Sequence, residues 1–174
     1  MRPDLSRIGN HFHKYINHVT EDNLAEAFEI QSASLVRFLD NIPTDKYDHR
    51  YDEGKWSIKE VLQHIIDAER IFGYRALCFA RKDKTPLPGF DENTYAETSK
   101  ASLRNWDKLV EEFNIVRRSS ELLFNSFDEE QLEAGGISSN TPNYVLGLGY
   151  IIIGHAMHHQ KIIKERYLQS PVAI

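Results

Sequence analysis

Residues 56–82 read "WSIKEVLQHIIDAERIFGYRALCFARK". Ser57 stands where a hydroxyl can accept a hydrogen bond from a free amide at a helix start, and Glu60, three residues on, completes the capping-box pattern. Behind this cap Ile58, Val61, Leu62, Ile65, Ala68, Phe72, Ala76 and Phe79 recur at intervals of three and four. That is the period of one face of a helix, not the alternation of a half-buried strand. The spacing predicts a long amphipathic helix from Ser57 to about Lys82.

The same period extends outward in both directions. Ile8, Phe12, Tyr15 and Val19 suggest a short leading helix. Leu24, Phe28, Leu35, Phe38 and Leu39 mark a longer one from about Asn23 to Asn41, with Asn23 and Glu26 in a capping-box pattern and Pro43 beyond its end. Downstream, "KTPLPGFDENTY" (84–95) carries two prolines and a glycine and reads as a crossover loop. A third long helix is expected from about Ser99 to Ser126, with Leu103, Trp106, Val110, Phe113 and Leu123 on its apolar stripe. An acidic turn, "DEEQLEA" (128–134), follows, and "GGISSNTPNY" (135–144) reads as a second loop, with Pro142 in the first turn of a last helix ending near Leu168. Four long amphipathic segments with two loops able to cross an end describe an all-α fold. It is an antiparallel four-helix bundle with a short leading helix and long crossover loops, one domain over residues 1–174. Trp56 and Trp106 read as anchors of the core or of a helix start.

The chain has 174 residues, 41% of them hydrophobic and 27% charged, the composition of a globular domain with a packed core. Lys and Arg number 21 against 26 Asp and Glu, a formal net charge of -5, which argues against a nucleic-acid partner. The lone Cys78, between Leu77 and Phe79, reads as a buried core thiol and fits a reducing compartment. The opening "MRPDLSRIGNHFHKY" has no signal-peptide pattern and no apolar run is long enough for a membrane span, so a cytoplasmic location is expected.

Chemistry concentrates in "YIIIGHAMHHQ" (150–160). On a helix Leu148, Ile151, Ile152, His155, His159, Ile162 and Ile163 share one face, so His155 and His159 look into the core and His158 falls on the flank. An imidazole buried without a partner loses roughly 1 to 3 kcal/mol of hydrogen bonding. Histidines at i and i+4 can converge on one divalent ion, although the pair fits two core histidines bonded to neighbouring helices equally well. His64, on the margin of the 56–82 stripe, supplies a third candidate. Three inward histidines from two helices form the ligand inventory of a catalytic zinc-type site with an open position. Asp67 could orient His64 or could be a solvated carboxylate.

These residues resemble the DinB-like superfamily of bacterial four-helix bundles, described as metal-dependent hydrolases. The resemblance spans nearly the whole chain and rests on "EGKWSIKEVLQHIIDAERIFGYRALCFARKDKTPLPGFDENTY" (53–95) and "GHAMHHQKIIKERYL" (154–168). It implies a metal triad at His64, His155 and His159, one divalent ion such as nickel or zinc, and a homodimer. It also implies a small-molecule substrate, with thiol transfer as a further chemistry of related members.

A metal ion that activates water for attack on a small electrophile is the first functional expectation. A metal that instead activates a low-molecular-weight thiol is the alternative. A stress-related binding module with a structural or vestigial metal, or a helical binding protein with none, would lack turnover. Asp67, Glu60, Glu69 and His158 are acid or base candidates by proximity to the triad, and a salt bridge from Glu69 to Arg166 or another bundle arginine would account for that carboxylate without catalysis. His11, His13, His18 and His49 are expected at the surface, and the glycines of "GLGYIIIG" (147–154) are read as permitting close helix packing.

Overall fold

The computed structural model describes residues 1–169. Its helices are α1 (His13–Ile16), α2 (Leu24–Asp40), α3 (Ile58–Ala80), α4 (Glu92–Thr98), α5 (Trp106–Asn125), α6 (Glu129–Glu133) and α7 (Val145–Ile162). Strands β1 (Gly135–Ser138) and β2 (Thr141–Tyr144) lie between α6 and α7. The four long helices make a bundle in which α2 and α3 each pack against both α5 and α7. The consecutive pair α2 and α3 therefore stands across a diagonal, which requires residues 41–57 to cross one end. Among the described residues no helix is long and apolar enough to cross a membrane.

The Ser57 capping box forms in full, and of the Asn23–Glu26 pattern the Asn23 cap forms without the reciprocal bond from Glu26. The Glu60 amide donates to Ser57 Oγ at 3.3 Å and the Ser57 amide to the Glu60 carboxylate at 2.7 Å. Asn23 Oδ1 accepts from the Glu26 amide at 3.1 Å. α3 then runs to Ala80, close to its expected end.

Four local expectations are corrected. The leading segment is built from two 3-10 turns, Leu5–Arg7 and Asn10–Phe12, before the four-residue α1. The expected loop 84–95 ends in helix, because Asp91 Oδ1 accepts from the Thr94 amide at 2.8 Å and so starts α4 beyond the prolines. The third long helix starts at Trp106, capped by Asn105; Leu103 sits in a preceding 3-10 turn and is 82% exposed, so it leaves the apolar stripe. Finally, 135–144 is an antiparallel hairpin. Its turn residues Ser139 and Asn140 have φ of 51° and 60°, the mirror-image turn that suits a two-residue connection. Pro142 lies on β2 opposite Ile137, not in α7. With Ser138 and Thr141 as the hydrogen-bonded pair beside the turn, the next pair exchanges no ladder bonds and tolerates a proline.

Buried apolar residues form two clusters. One contains Ile58, Val61, Leu62 and Ile65 of α3 with Ala156 of α7; the other contains Ala68, Phe72, Ala76 and Phe79 of α3 with Leu148 and Ile151–Ile153 of α7. His64 and His155 fall at the junction between them. α1 lies against α7, and a side chain at Gly154 would run into the Tyr15 backbone, so this glycine admits the leading segment to the site.

Candidate metal centre

Two helices supply the three imidazoles. α3 carries His64 less than two turns from its capping box, and α7 carries His155 and His159 one turn apart. His155 Nε2 lies 3.0 Å from His64 Nε2 and 3.1 Å from His159 Nε2. All three ligand atoms fall within 4.8 Å of one another. His64 and His155 are buried and His159 half-buried.

An imidazole nitrogen offers one in-plane position, either a lone pair or an N–H. His155 Nε2 therefore cannot make full hydrogen bonds to both neighbours. One cation accepting three lone pairs removes the conflict, and neutral imidazoles in such a set suit zinc or a similar divalent ion. The donor chemistry thus fits a metal. Burial pushes His64 down to about 4, with Glu92 opposing, and holds His155 and His159 well below the ordinary value, neighbouring imidazoles adding to the effect. All three are in the neutral, ligating form at pH 7.

The triad opens on a cleft of about 300 Å³. His64, Ala68, Phe72 and Arg75 line it from one face of α3, Phe12 and Tyr15 from the leading segment, and Trp56, Phe90, Glu92 and Ser139 from the loops and the start of α4. The Trp56 ring is 4.8 Å from His64, and the Tyr15 ring meets His155 edge-on at 5.2 Å. The sequence reading missed Arg75, Tyr15, Phe72 and Glu92. The positions 64, 68, 72 and 75 share a helical face, and that spacing was the available signal.

Other expected site residues lie elsewhere. Asp67 accepts from Gln63 Nε2 at 2.9 Å and makes no hydrogen bond to His64; burial raises its carboxyl. Glu69 receives three hydrogen bonds of 2.8–3.1 Å from Arg117, so the structural account holds, with Arg117 in place of Arg166, which donates to the Tyr51 hydroxyl. Glu60 caps α3 and pairs with Arg50. His158 stays on the flank, between the Tyr15 and His18 rings. Of the histidines expected at the surface, His11 is exposed yet lines the cleft, while His13, His18 and His49 are half-buried. His13 Nε2 lies 3.0 Å from the Leu5 carbonyl, which explains its retreat from solvent.

A family model described as the DinB superfamily matches residues 27–163. Among solved structures, YfiT from Bacillus subtilis, described as a probable metal-dependent hydrolase with an unusual four-helix bundle topology, is similar. The TM-score is 0.70 at 16% identity, over 95% of this chain and 90% of that one. Likeness at that identity establishes the fold. None of the curated proteins compared with the chain matches it.

Proposed function

This chain belongs to the DinB superfamily, and from that premise we propose that it is a divalent-metal-dependent enzyme that hydrolyses a small electrophilic substrate. His64, His155 and His159 hold the ion, nickel or zinc. The observation that carries the reading is the convergence of three neutral Nε2 atoms that cannot all satisfy one another at once. YfiT, similar in fold, is described as a probable metal-dependent hydrolase, which supports the reaction class. When bound, the ion supplies Lewis acidity and acidifies water enough to furnish a nucleophile near neutral pH.

The protein's own residues do the rest. Trp56, Tyr15, Phe72 and Phe90 wall the cleft and would shield the apolar part of a bound substrate from water. Glu92 is the carboxylate on that wall among the described residues, and it takes the role of proton acceptor.

Elemental analysis of untagged protein beside its His155→Ala and His159→Ala variants tests the metal. About one ion per chain is expected in the parent and little in the folded variants. No ion after incubation with nickel or zinc removes the proposal. Metal-loaded protein should then hydrolyse activated esters, and Glu92→Gln should lower kcat by about 10²-fold or more with metal content unchanged. Turnover that requires an added thiol would replace hydrolysis by thiol transfer.

A further inference from the structure

Arg75 is 2% exposed and lines the cleft that contains the triad. Its Nη2 donates to the Pro88 carbonyl at 2.8 Å and to Ser139 Oγ at 2.9 Å. Among the described residues Nε and Nη1 have no protein acceptor, and no carboxylate lies within salt-bridge distance of the guanidinium. Glu92 shares the cleft wall without pairing with it.

Dedicated structure holds this side chain. The Leu87 amide donates to the Ile137 carbonyl and the Ser139 amide to the Leu87 carbonyl, both at 3.0 Å, so the proline loop is pinned to the hairpin. Pro88 and Ser139, the two acceptors of Nη2, come from the two pinned elements. The positive φ of Ser139 belongs to the hairpin turn that presents its hydroxyl. Phe72 separates the charge from the triad: its ring is 5.6 Å from Arg75 Cζ and 6.0 Å from the His155 ring.

A buried cation with no counter-charge is costly, and carbonyl and hydroxyl dipoles offset only part of that cost. Burial accordingly lowers the Arg75 pKa. An anion entering the cleft would meet a full positive charge and free N–H donors.

We propose that Arg75 is the anion-binding residue of the cleft, and that the substrate is a small organic acid whose carboxylate reaches Arg75 while its apolar body lies against Phe72. The reaction assigned to this acid rests on the metal-dependent reading above; the anion site itself does not. The cleft volume of about 300 Å³ limits the acid to a compact molecule, and the walls Phe12, Tyr15, Phe72 and Phe90 favour an aromatic or branched aliphatic one.

The test titrates the full chain, as purified and after chelator treatment, with benzoate and with its neutral isostere benzamide, following the arginine Nε–H resonances by NMR. Arg75→Lys identifies the Arg75 signal. Benzoate should bind at least tenfold more tightly than benzamide with or without metal, and should shift the Arg75 Nε–H. Arg75→Gln should abolish the preference. Equal binding of the two compounds, a preference that leaves the Arg75 resonance unmoved, or a preference that persists in Arg75→Gln overturns the inference. The resonance shift decides the matter in the parent chain if the Gln variant does not fold. A chain that takes up no metal but prefers benzoate loses the enzyme reading and keeps this one. A chain that loads metal without the preference does the reverse.

Discussion

Two buried polar clusters sit near the junction of the two apolar clusters, and they are resolved in opposite ways. Between α3 and α5, Glu69 and Arg117 are 3% and 2% exposed and share three hydrogen bonds. Between α3 and α7, His155 Nε2 is shared between two imidazole nitrogens and can bond fully to only one, and the group opens on a cleft. The first cluster is closed by the fold itself. The second is the one that an ion completes in the metal-dependent proposal. Arg75 extends the contrast, because it is as buried as Arg117 but has no carboxylate. In these three groups the carboxylate-paired arginine serves architecture, whereas the triad and Arg75 face the cleft.

The largest expected effect separates the clusters directly. Glu69→Ala strands the Arg117 charge in the core and should cost about 3–5 kcal/mol in urea unfolding. His155→Ala in metal-free protein should cost no more than about 1 kcal/mol, because lost packing is offset by relief of a frustrated nitrogen. Equal losses in the two variants would end the contrast.

Acid should expose the second cluster next. Unfolded histidine titrates near 6.5, whereas folded His64 titrates at about 4 and His155 and His159 lie well below their ordinary value. Between those limits the unfolded chain binds protons that the folded chain refuses, so stability is full above about pH 7 and falls as pH drops through 6.5. His64 alone accounts for a loss on the order of 3 kcal/mol by pH 4. Metal-free parent should lose stability between pH 7 and 5 and His64→Ala should lose less; parallel curves would refute the assignment.

Metal should then reverse the frustration. At one hundred times its dissociation constant an ion that binds only the folded chain adds about 2.7 kcal/mol. Nickel or zinc should raise the unfolding free energy of the parent by that margin, seen as a higher urea midpoint, and leave folded His155→Ala unmoved. An equal gain in both would place the ion elsewhere.

How much of this was legible in the sequence depends on the range of the interaction. Ser57 and Glu60, or His155 and His159, lie within one helical turn, so helical geometry alone relates them. His64 needed the further inference that two helices meet, and its place at the margin of an apolar stripe supported that. The hairpin escaped because Pro142 reads as a helix starter, and only the pairing register shows that its missing N–H is harmless at that position. Arg75 escaped for a different reason: an arginine on a long helix reads as solvated until Pro88 and Ser139, 13 and 64 residues away, are folded onto it.

The smallest expected effect asks what the closed cluster contributes beyond compensating itself. Removing one member leaves a bare charge, but replacing both members removes the desolvation cost along with the attraction. Glu69→Leu combined with Arg117→Met keeps similar volume between α3 and α5, so the double variant should lie within about 1 kcal/mol of the parent or above it. The coupling energy from the cycle with the two single variants should then be several kcal/mol. The fold would in that case owe little to having charge there, only to not having it unpaired. Applied to His64, His155 and His159, the same apolar exchange should leave a folded bundle that binds no metal, because apolar side chains of similar volume can keep the contacts with Tyr15, Trp56 and Phe72. A double variant as unstable as Glu69→Ala would show instead that the ion pair fixes the α3–α5 contact by its geometry. The difference between the two clusters would then be one of degree.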